Sequence, residues 1–207
     1  MTDSFWTVES KLTTEIKIER SRFIGTVVPV VSRQLAEDEY EAIRRQYYDA
    51  THNCFAYQVG LEAKQEFRYS DDGEPSGTAG RPIHDAILSR NVTDVLVVVT
   101  RYFGGIKLGT GGLARAYRQS ADDALGEAKV IEKLIMQPFS IRFAHDLTSI
   151  VMKTLSDFEL RTLETTYAEE VELKSAIRLS RYGEFAATLL DRSHGRITAV
   201  ITEAPHA

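Results

Sequence analysis

Apolar positions along the chain alternate, recur at helical spacing or form a short unbroken run, and together they predict a protein of mixed strands and helices. Residues 95–99 form an unbroken aliphatic run of strand length, which is typical of a strand covered on both faces. Residues 34–48 and 113–128 instead repeat apolar side chains every three or four positions, so each predicts an amphipathic helix. Further strands are predicted at 16–19, 22–31 and 53–59, and a short helix at 83–89.

A second series of elements begins after the Gln137-Pro138 pair. The pattern predicts, in order, a strand at 139–143, a helix from 147, a hairpin of 160–167 and 171–179, a helix at 182–189 and a strand at 197–202. The order βαββαβ is that of the ferredoxin-like fold. The predicted fold class is therefore α+β, with a first domain at residues 1–135 and a ferredoxin-like second domain at 136–207.

The stretch 101–118 is rich in glycine and basic residues and contains no acidic side chain. It joins the apolar strand to the long helix, and Thr110 is expected to cap that helix. Helix-start amides beside Lys107 and Arg115 would suit a phosphate or a carboxylate, whereas Arg118 is expected to pair with Asp122. Glycines that only permit a tight turn explain the pattern as well, so both interpretations stay open. The candidate anion-binding or RNA-binding residues are Arg101, Lys107, Gly109, Thr110, Gly111, Gly112 and Arg115.

A second glycine-rich stretch, residues 67–82, shows neither helical nor strand periodicity and predicts a long loop. Its carboxylates could act as general bases or cation ligands, although a carboxylate-rich turn is more often simply solvated. The candidate residues of this secondary loop are Asp71, Asp72, Gly73, Glu74, Gly77, Thr78 and Gly80.

His52 and Cys54 are two positions apart on a predicted strand, so they share one face. Such a pair could be a nucleophilic thiol and its base, but a packed cysteine beside a hydrogen-bonded histidine is the favoured interpretation. The other histidines are scattered singly, so no metal site is predicted, and no cofactor is predicted either.

Composition describes an ordinary soluble protein of 207 residues, with 43% hydrophobic and 27% charged residues and a net charge of −5. The single cysteine excludes an internal disulfide, and neither a signal peptide nor an apolar stretch of bilayer length is visible. We therefore expect a cytoplasmic protein with no membrane partner. Because the net charge is negative, nucleic acid would have to be bound by a local basic patch.

Four segments together resemble the signature of the IMPACT family in its bacterial two-domain form. They are Ser21-Arg22-Phe23, His52-Asn53-Cys54, the run from Tyr69 to Gly80, and the run from Arg101 to Leu113. The resemblance spans essentially the whole chain. It implies a first domain of the β-α-β plan that is also found in a ribosomal small-subunit protein and in domain IV of elongation factor G. It also implies a ferredoxin-like second domain similar to the last domain of that factor.

The resemblance further implies a role linked to translation, because eukaryotic relatives with the same first domain regulate translation initiation. Those relatives compete for the activator of a starvation-sensing kinase and carry an additional N-terminal RWD domain. This chain is expected to lack that domain, since its first predicted strand begins near its N-terminus, so binding to that activator is not carried over. The two glycine-rich loops are expected to form one shared binding surface.

Two functional hypotheses follow. The first is a non-catalytic regulatory or binding protein that engages RNA, the ribosome or a translation factor through the basic glycine-rich loop. The second is a hydrolase or peptidase that acts on a small substrate between the two loops, with Asp71, Asp72, His52 or Cys54 as candidates. The absence of a complete catalytic constellation favours the first. The oligomeric state stays open.

Overall fold

The computed structural model describes residues 3–202, which divide into two units, Phe5–Lys133 and a second unit formed by the rest of the described chain. The elements of the first part of the chain are β1 (Ser4–Val8), β2 (Leu12–Ile18), β3 (Ser21–Pro29), α1 (Arg33–Gln46), β4 (His52–Val59), β5 (Glu66–Ser70), α2 (Gly80–Ser89), β6 (Val95–Tyr102), α3 (Gly109–Glu127) and β7 (Val130–Leu134).

Strand β6 occupies the centre of an antiparallel sheet of order β2-β3-β6-β4-β5. Its residues alternate between two cores, since Val97 and Val99 pack with helices α2 and α3 while Leu96 and Val98 pack with helix α1. A strand covered on both faces must be apolar at every position, which is why its sequence does not alternate. The prediction from the aliphatic run is confirmed.

Helix α3 lies against the sheet through one apolar side, which includes the predicted positions Leu113, Tyr117, Ala121 and Ala124. Its approach to strand β3 is close, because a Cβ atom on Gly25 would lie 2.6 Å from the carbonyl oxygen of Ser120. Only glycine permits the helix to approach that near. Arg118, on the other side of α3, forms the predicted ion pair with Asp122, in which Nε lies 2.7 Å from Oδ2.

Several predictions for the first domain were wrong in their extent. Strands β1 and β7 form a separate two-stranded sheet that the periodicity did not reveal, and β2 begins at Leu12 rather than residue 16. The stretch 67–82 is not one loop, because β5 pairs with β4 and α2 already begins at Gly80. Strand β5 lies at the edge of its sheet with almost every residue exposed, so no burial pattern marks it.

The second unit has the elements β8 (Met136–Phe143), α4 (Thr148–Asp157), β9 (Glu164–Tyr167), β10 (Val171–Arg178), α5 (Tyr182–Arg192) and β11 (Ala199–Ile201). Its antiparallel sheet has the order β11-β8-β10-β9. This is the ferredoxin-like plan, and the predicted α+β fold is confirmed. Phe139 and Phe185 pack in its core with ring centroids 4.7 Å apart. None of the described helices is both long and apolar enough to cross a membrane.

Candidate functional site

Three segments of the first unit meet around one pocket of about 460 Å³, which we call the His52 pocket. The pairing of His52 with Arg101 across β4 and β6 brings the start of one strand beside the end of the other. The acidic loop, residues 71–79, the glycine loop, residues 103–108, and the first turns of helix α3 complete the walls. The pocket is lined by the polar or charged residues Thr51, His52, Glu74, Arg101, Lys107 and Thr110, by Gly109, and by the apolar residues Pro75, Phe103, Leu108 and Leu113.

A buried carboxylate forms the centre of this arrangement. Oε1 of Glu74 accepts a hydrogen bond of 2.6 Å from Nη1 of Arg101 and one of 2.8 Å from the hydroxyl of Tyr117. The side chains of Glu74 and Arg101 are only 4% and 6% exposed. Burial raises the pKa of Tyr117, so its hydroxyl stays protonated as a donor. An unpaired buried charge would be destabilising, so the ion pair between Glu74 and Arg101 fixes the acidic loop against the end of β6.

Arg101 is held between two aromatic rings, with its guanidinium carbon 5.5 Å from the ring centre of Phe23 and 5.3 Å from that of Phe103. Its Nη2 makes only a long contact, 3.5 Å, to the hydroxyl of Ser21. Its Nε is buried and has no hydrogen-bond partner among the described residues. The sequence predicted Arg101 as an anion-binding or RNA-binding residue, and the structure places it at the floor of the pocket, paired with Glu74.

His52 presents a ring nitrogen toward Glu74. Its Nδ1 lies 2.7 Å from the carbonyl oxygen of Asp72, and a carbonyl can only accept, so Nδ1 carries the proton in the neutral ring. Nε2 then carries the lone pair and lies 3.9 Å from Oε1 of Glu74.

The carboxylates of the acidic loop hold the loop and the start of helix α2 in place. Asp71 accepts hydrogen bonds of 2.8 to 2.9 Å from the amides of Gly77, Ala79 and Gly80. Asp72 accepts one of 2.6 Å from the amide of Asn53. The three contacts of Asp71 occupy most of the lone pairs that a general base or a cation site would need. Glu74 alone among the three carboxylates lines the His52 pocket.

The other predicted residues of the acidic loop shape its backbone. Gly73 and Gly77 have φ values of +86° and +77°, in the left-handed region that favours glycine. The hydroxyl of Thr78 donates to the carbonyl oxygen of Pro75 at 2.7 Å. At Gly80, a Cβ atom would lie 2.8 Å from the backbone of Ser70, so the helix start needs glycine to pack there.

Cys54 is fully buried, and its Sγ donates to the carbonyl oxygen of Asp71 at 3.0 Å. Burial raises the pKa of its thiol, which keeps it protonated and unreactive at neutral pH. His52 points instead to Asp72 and Glu74. The favoured interpretation of a packed cysteine agrees with these contacts. Among the described residues, no group of three or more His, Cys, Asp or Glu side chains could hold a metal ion.

The glycine loop leads into helix α3 without a capping side chain. The helix begins at Gly109, and the residue before it, Leu108, makes no capping hydrogen bond with the described residues. The predicted Thr110 cap is therefore wrong, because Thr110 lies inside the first turn. Lys107, Gly109 and Thr110 all line the His52 pocket, whereas Arg115 is exposed one turn further along the helix. Gly111 and Gly112 are the third and fourth residues of the helix and lie between Thr110 and Arg115 in the sequence.

A second pocket, of about 550 Å³, adjoins the first and shares Thr51 and His52 with it. We call it the Tyr48 pocket, and its other lining residues are Glu41, Arg44, Arg45, Tyr48, Ala50, Asn53 and Asp72. Tyr48 is 85% exposed, and Phe103 in the neighbouring pocket is 46% exposed. The sequence did not predict this pocket, since it placed Arg44, Arg45 and Tyr48 only in the amphipathic helix predicted at 34–48. The sequence signal that could have revealed the pocket is the aromatic Tyr48 close to Arg44 and Arg45.

Comparison with protein-family models identifies the first unit. The model described as the Impact N-terminal domain matches residues 19–125, which include the acidic loop, the glycine loop and both pockets. The predicted resemblance of these loops to that family is confirmed.

Curated relatives match nearly the whole chain. The chain is 36% identical over 196 residues to the IMPACT family member YvyE of Bacillus subtilis, an alignment that covers 95% of this chain and 90% of that protein. It is 30% identical over 200 residues to the IMPACT family member YigZ of Escherichia coli, covering 96% and 98%. Protein IMPACT of Bos taurus is 38% identical over 96 residues, which cover 44% of this chain and 29% of that protein.

A solved crystal structure of a hypothetical protein has the same fold over the full length. It covers 99% of this chain and all of its own chain, with a TM-score of 0.76 and 29% sequence identity. The two-unit organisation of this chain therefore recurs in another protein.

Proposed function

Because this chain belongs to the IMPACT family, we propose that it is a non-catalytic cytoplasmic protein linked to translation that binds RNA, on the ribosome or free. The link to translation is what the resemblance to the eukaryotic relatives implies. The RNA-binding region is the two-pocket surface, defined by Arg44, Arg45, Tyr48, His52, Phe103 and Lys107. A translation factor is the alternative partner for the same surface.

The main support for this proposal is that the two adjoining pockets bring exposed cations and exposed aromatic rings together. Tyr48 and Phe103 offer faces on which bases can stack. Arg45 and Lys107 lie beside them and suit phosphate oxygens. Thr51 and His52 belong to both pockets, so a strand of RNA could pass from one to the other. The net charge of −5 makes such a local patch necessary.

The contacts of the candidate catalytic groups support binding over hydrolysis. Asp71 already accepts three backbone amides, Asp72 accepts one, and the buried thiol of Cys54 donates to a carbonyl. A nucleophile needs an accessible, deprotonated group with a base within hydrogen-bond reach. Cys54 does not meet that requirement, because its thiol is buried and protonated, and the contacts of Asp71 and Asp72 hold the acidic loop.

The proposal is tested by the affinity for a labelled single-stranded RNA, measured by fluorescence anisotropy at two salt concentrations. Lys107→Ala should weaken binding roughly ten-fold, since a charge-assisted contact to phosphate contributes about 1.5 to 3 kcal/mol. Arg115→Ala should weaken it less, because Arg115 lies outside both pockets. Each loss should also flatten the salt dependence, because fewer counterions are released.

Lys64→Ala is the matched control, since Lys64 is an exposed lysine of the same unit near the opposite end of strand β4. Equal affinity of all four proteins, with folding verified by circular dichroism, would remove the glycine loop from the proposed surface. Turnover of phosphoester or peptide substrates by the wild-type protein, abolished by His52→Ala, would support the hydrolase hypothesis instead.

A further inference from the structure

We infer that the His52 pocket binds one nucleotide that carries a terminal phosphate, supplied either by an RNA end or by a free mononucleotide. The inference deepens the proposed function and rests on it, because this pocket is one half of the two-pocket surface. It assigns the ligand class of the pocket, which RNA binding alone leaves open.

The size and the apolar part of the pocket suit a base and its ribose. A volume of about 460 Å³ lies within the range of pockets that enclose small molecules. Pro75, Leu108 and Leu113 contribute apolar surface, and the half-exposed ring of Phe103 offers a face for stacking. Stacking on an aromatic face tolerates every base, so this wall would not by itself select one.

The glycine loop provides the phosphate end of the pocket. Lys107 is exposed there, and Gly109 and Thr110 begin a helix of 19 residues whose first turn contains no acidic residue. The first amides of a helix have no partner within the helix, and no side chain of the described residues caps this one. These amides and Lys107 therefore lie on the same side of the pocket as donors for phosphate oxygens.

The floor of the pocket supplies an independent observation. Arg101 lines it while only 5% exposed, and its Nε lacks a hydrogen-bond partner among the described residues. A buried guanidinium normally has its donors satisfied, so this one has bonding capacity that the protein does not use. Glu74 balances the charge of Arg101 at 2.6 Å, whereas Lys107 forms no ion pair with any residue of 3–202.

The charge of the ligand favours a terminal phosphate over an internal one. A phosphate monoester carries close to −2 at neutral pH, because its second pKa is about 6, whereas an internal diester carries −1. Lys107 and the helix amides together would stabilise the larger charge. The following nucleotides of an RNA would continue past Thr51 into the Tyr48 pocket.

The experiment compares three versions of one 12-nucleotide RNA, with a 5′-phosphate, with a 3′-phosphate, or with hydroxyl groups at both ends. We expect one phosphorylated end to raise affinity by roughly ten-fold over the hydroxyl form. Lys107→Ala should abolish that gain, and Lys64→Ala should keep it. AMP, CMP, GMP and UMP, tested as competitors beside their nucleosides, distinguish a free mononucleotide from an RNA end as the preferred source.

A second variant separates the two walls of the pocket. Phe103→Ala should weaken mononucleotide binding and leave inorganic phosphate binding unchanged, whereas Lys107→Ala should weaken both. Both side chains are exposed, so neither change is expected to unfold the protein, and the thermal transition verifies this.

RNA binding that is equal for phosphorylated and hydroxyl ends, with no competition by any mononucleotide, would overturn the inference and leave the proposed function standing. Binding of mononucleotides that depends on Lys107, without binding of any RNA, would support the nucleotide pocket and overturn the proposed RNA binding.

Discussion

At the level of single residues, the buried pair of Glu74 and Arg101 distinguishes this site from the ion pairs on the surface. Both side chains are almost fully removed from water, and Tyr117 donates a second hydrogen bond to the same carboxylate oxygen. Removing one partner from such a pair leaves an unpaired buried charge, which costs more than the pair itself contributes. The exposed pair of Arg22 with Glu15, at 2.9 Å, lacks that penalty.

Glu74→Gln should therefore destabilise the protein by about 3 to 5 kcal/mol, while Glu15→Gln should cost less than about 1 kcal/mol. Chemical denaturation of both variants measures the difference. The double variant Glu74→Gln with Arg101→Met should be more stable than Glu74→Gln alone, because no charge is then left unpaired. A double variant that loses the sum of both single losses would show that the two residues act independently.

Cys54 is expected to be structural. Cys54→Ala should cost about 1 to 2 kcal/mol of stability, since it removes a small buried side chain, and should leave RNA affinity unchanged. The native thiol should resist alkylation by iodoacetamide, because burial raises its pKa and blocks access, and should react once the protein is unfolded in urea. Loss of an identified activity in a folded Cys54→Ala protein would instead indicate a nucleophile.

At the level of elements, the helices of the first unit begin in different ways. Helix α1 follows Ser32, whose hydroxyl accepts a hydrogen bond of 3.2 Å from the amide of Leu35. Helix α2 begins where Asp71 accepts the amides of Ala79 and Gly80. Helix α3 alone among these three has no capping side chain in the described residues. An uncapped helix start is less stable by itself, but it keeps its amides available to a ligand.

Two matched substitutions test this difference. Ser32→Ala should cost about 1 kcal/mol, because it removes a hydrogen bond to a helix-start amide. Thr110→Ala should change stability by less than about 0.5 kcal/mol, since the side chain of Thr110 makes no hydrogen bond with the described residues and is exposed. Urea denaturation of the two variants measures both. A loss of about 1 kcal/mol at Thr110 would contradict the helix start that the structure gives.

At the level of the whole molecule, the two units have separate hydrophobic cores. The first unit contains two of them, one on each face of its sheet, and the second unit has a core of its own around Phe139 and Phe185. A unit that buries its own apolar faces has what independent folding requires. The structure divides the chain between Lys133 and Leu134, two residues before the predicted boundary.

A fragment of residues 1–135 should therefore fold alone. It contains every strand of the five-stranded sheet, both strands of the β1–β7 pair and helices α1 to α3. We expect a cooperative thermal transition and a dispersed amide spectrum, and the RNA affinity of the full chain, since both pockets lie within it. A fragment with neither a transition nor dispersion would contradict the two-domain boundary.

The local pattern of the sequence was sufficient for elements that bury a face. The aliphatic run of β6, the amphipathic helices α1 and α3 and the βαββαβ order of the second unit all follow from spacing, because a buried face restricts which positions can be polar. The edge strand β5 and strand β7 contain no fully buried residue, so periodicity did not detect them. Strand β1 was missed as well, although its Val8 packs in the core.

The site depended on contacts between distant residues. The two glycine-rich loops could be recognised from sequence, but nothing in their spacing pairs Glu74 with Arg101, 27 positions away, or either with Tyr117 and His52. The favoured prediction for Asp71 was a solvated carboxylate, although it anchors a helix, and Arg101 was predicted to bind an anion or RNA, although it is buried and paired with Glu74. Whether a charged side chain meets water or a partner is decided by the strands and loops that pack beside it, and this only the tertiary structure determines.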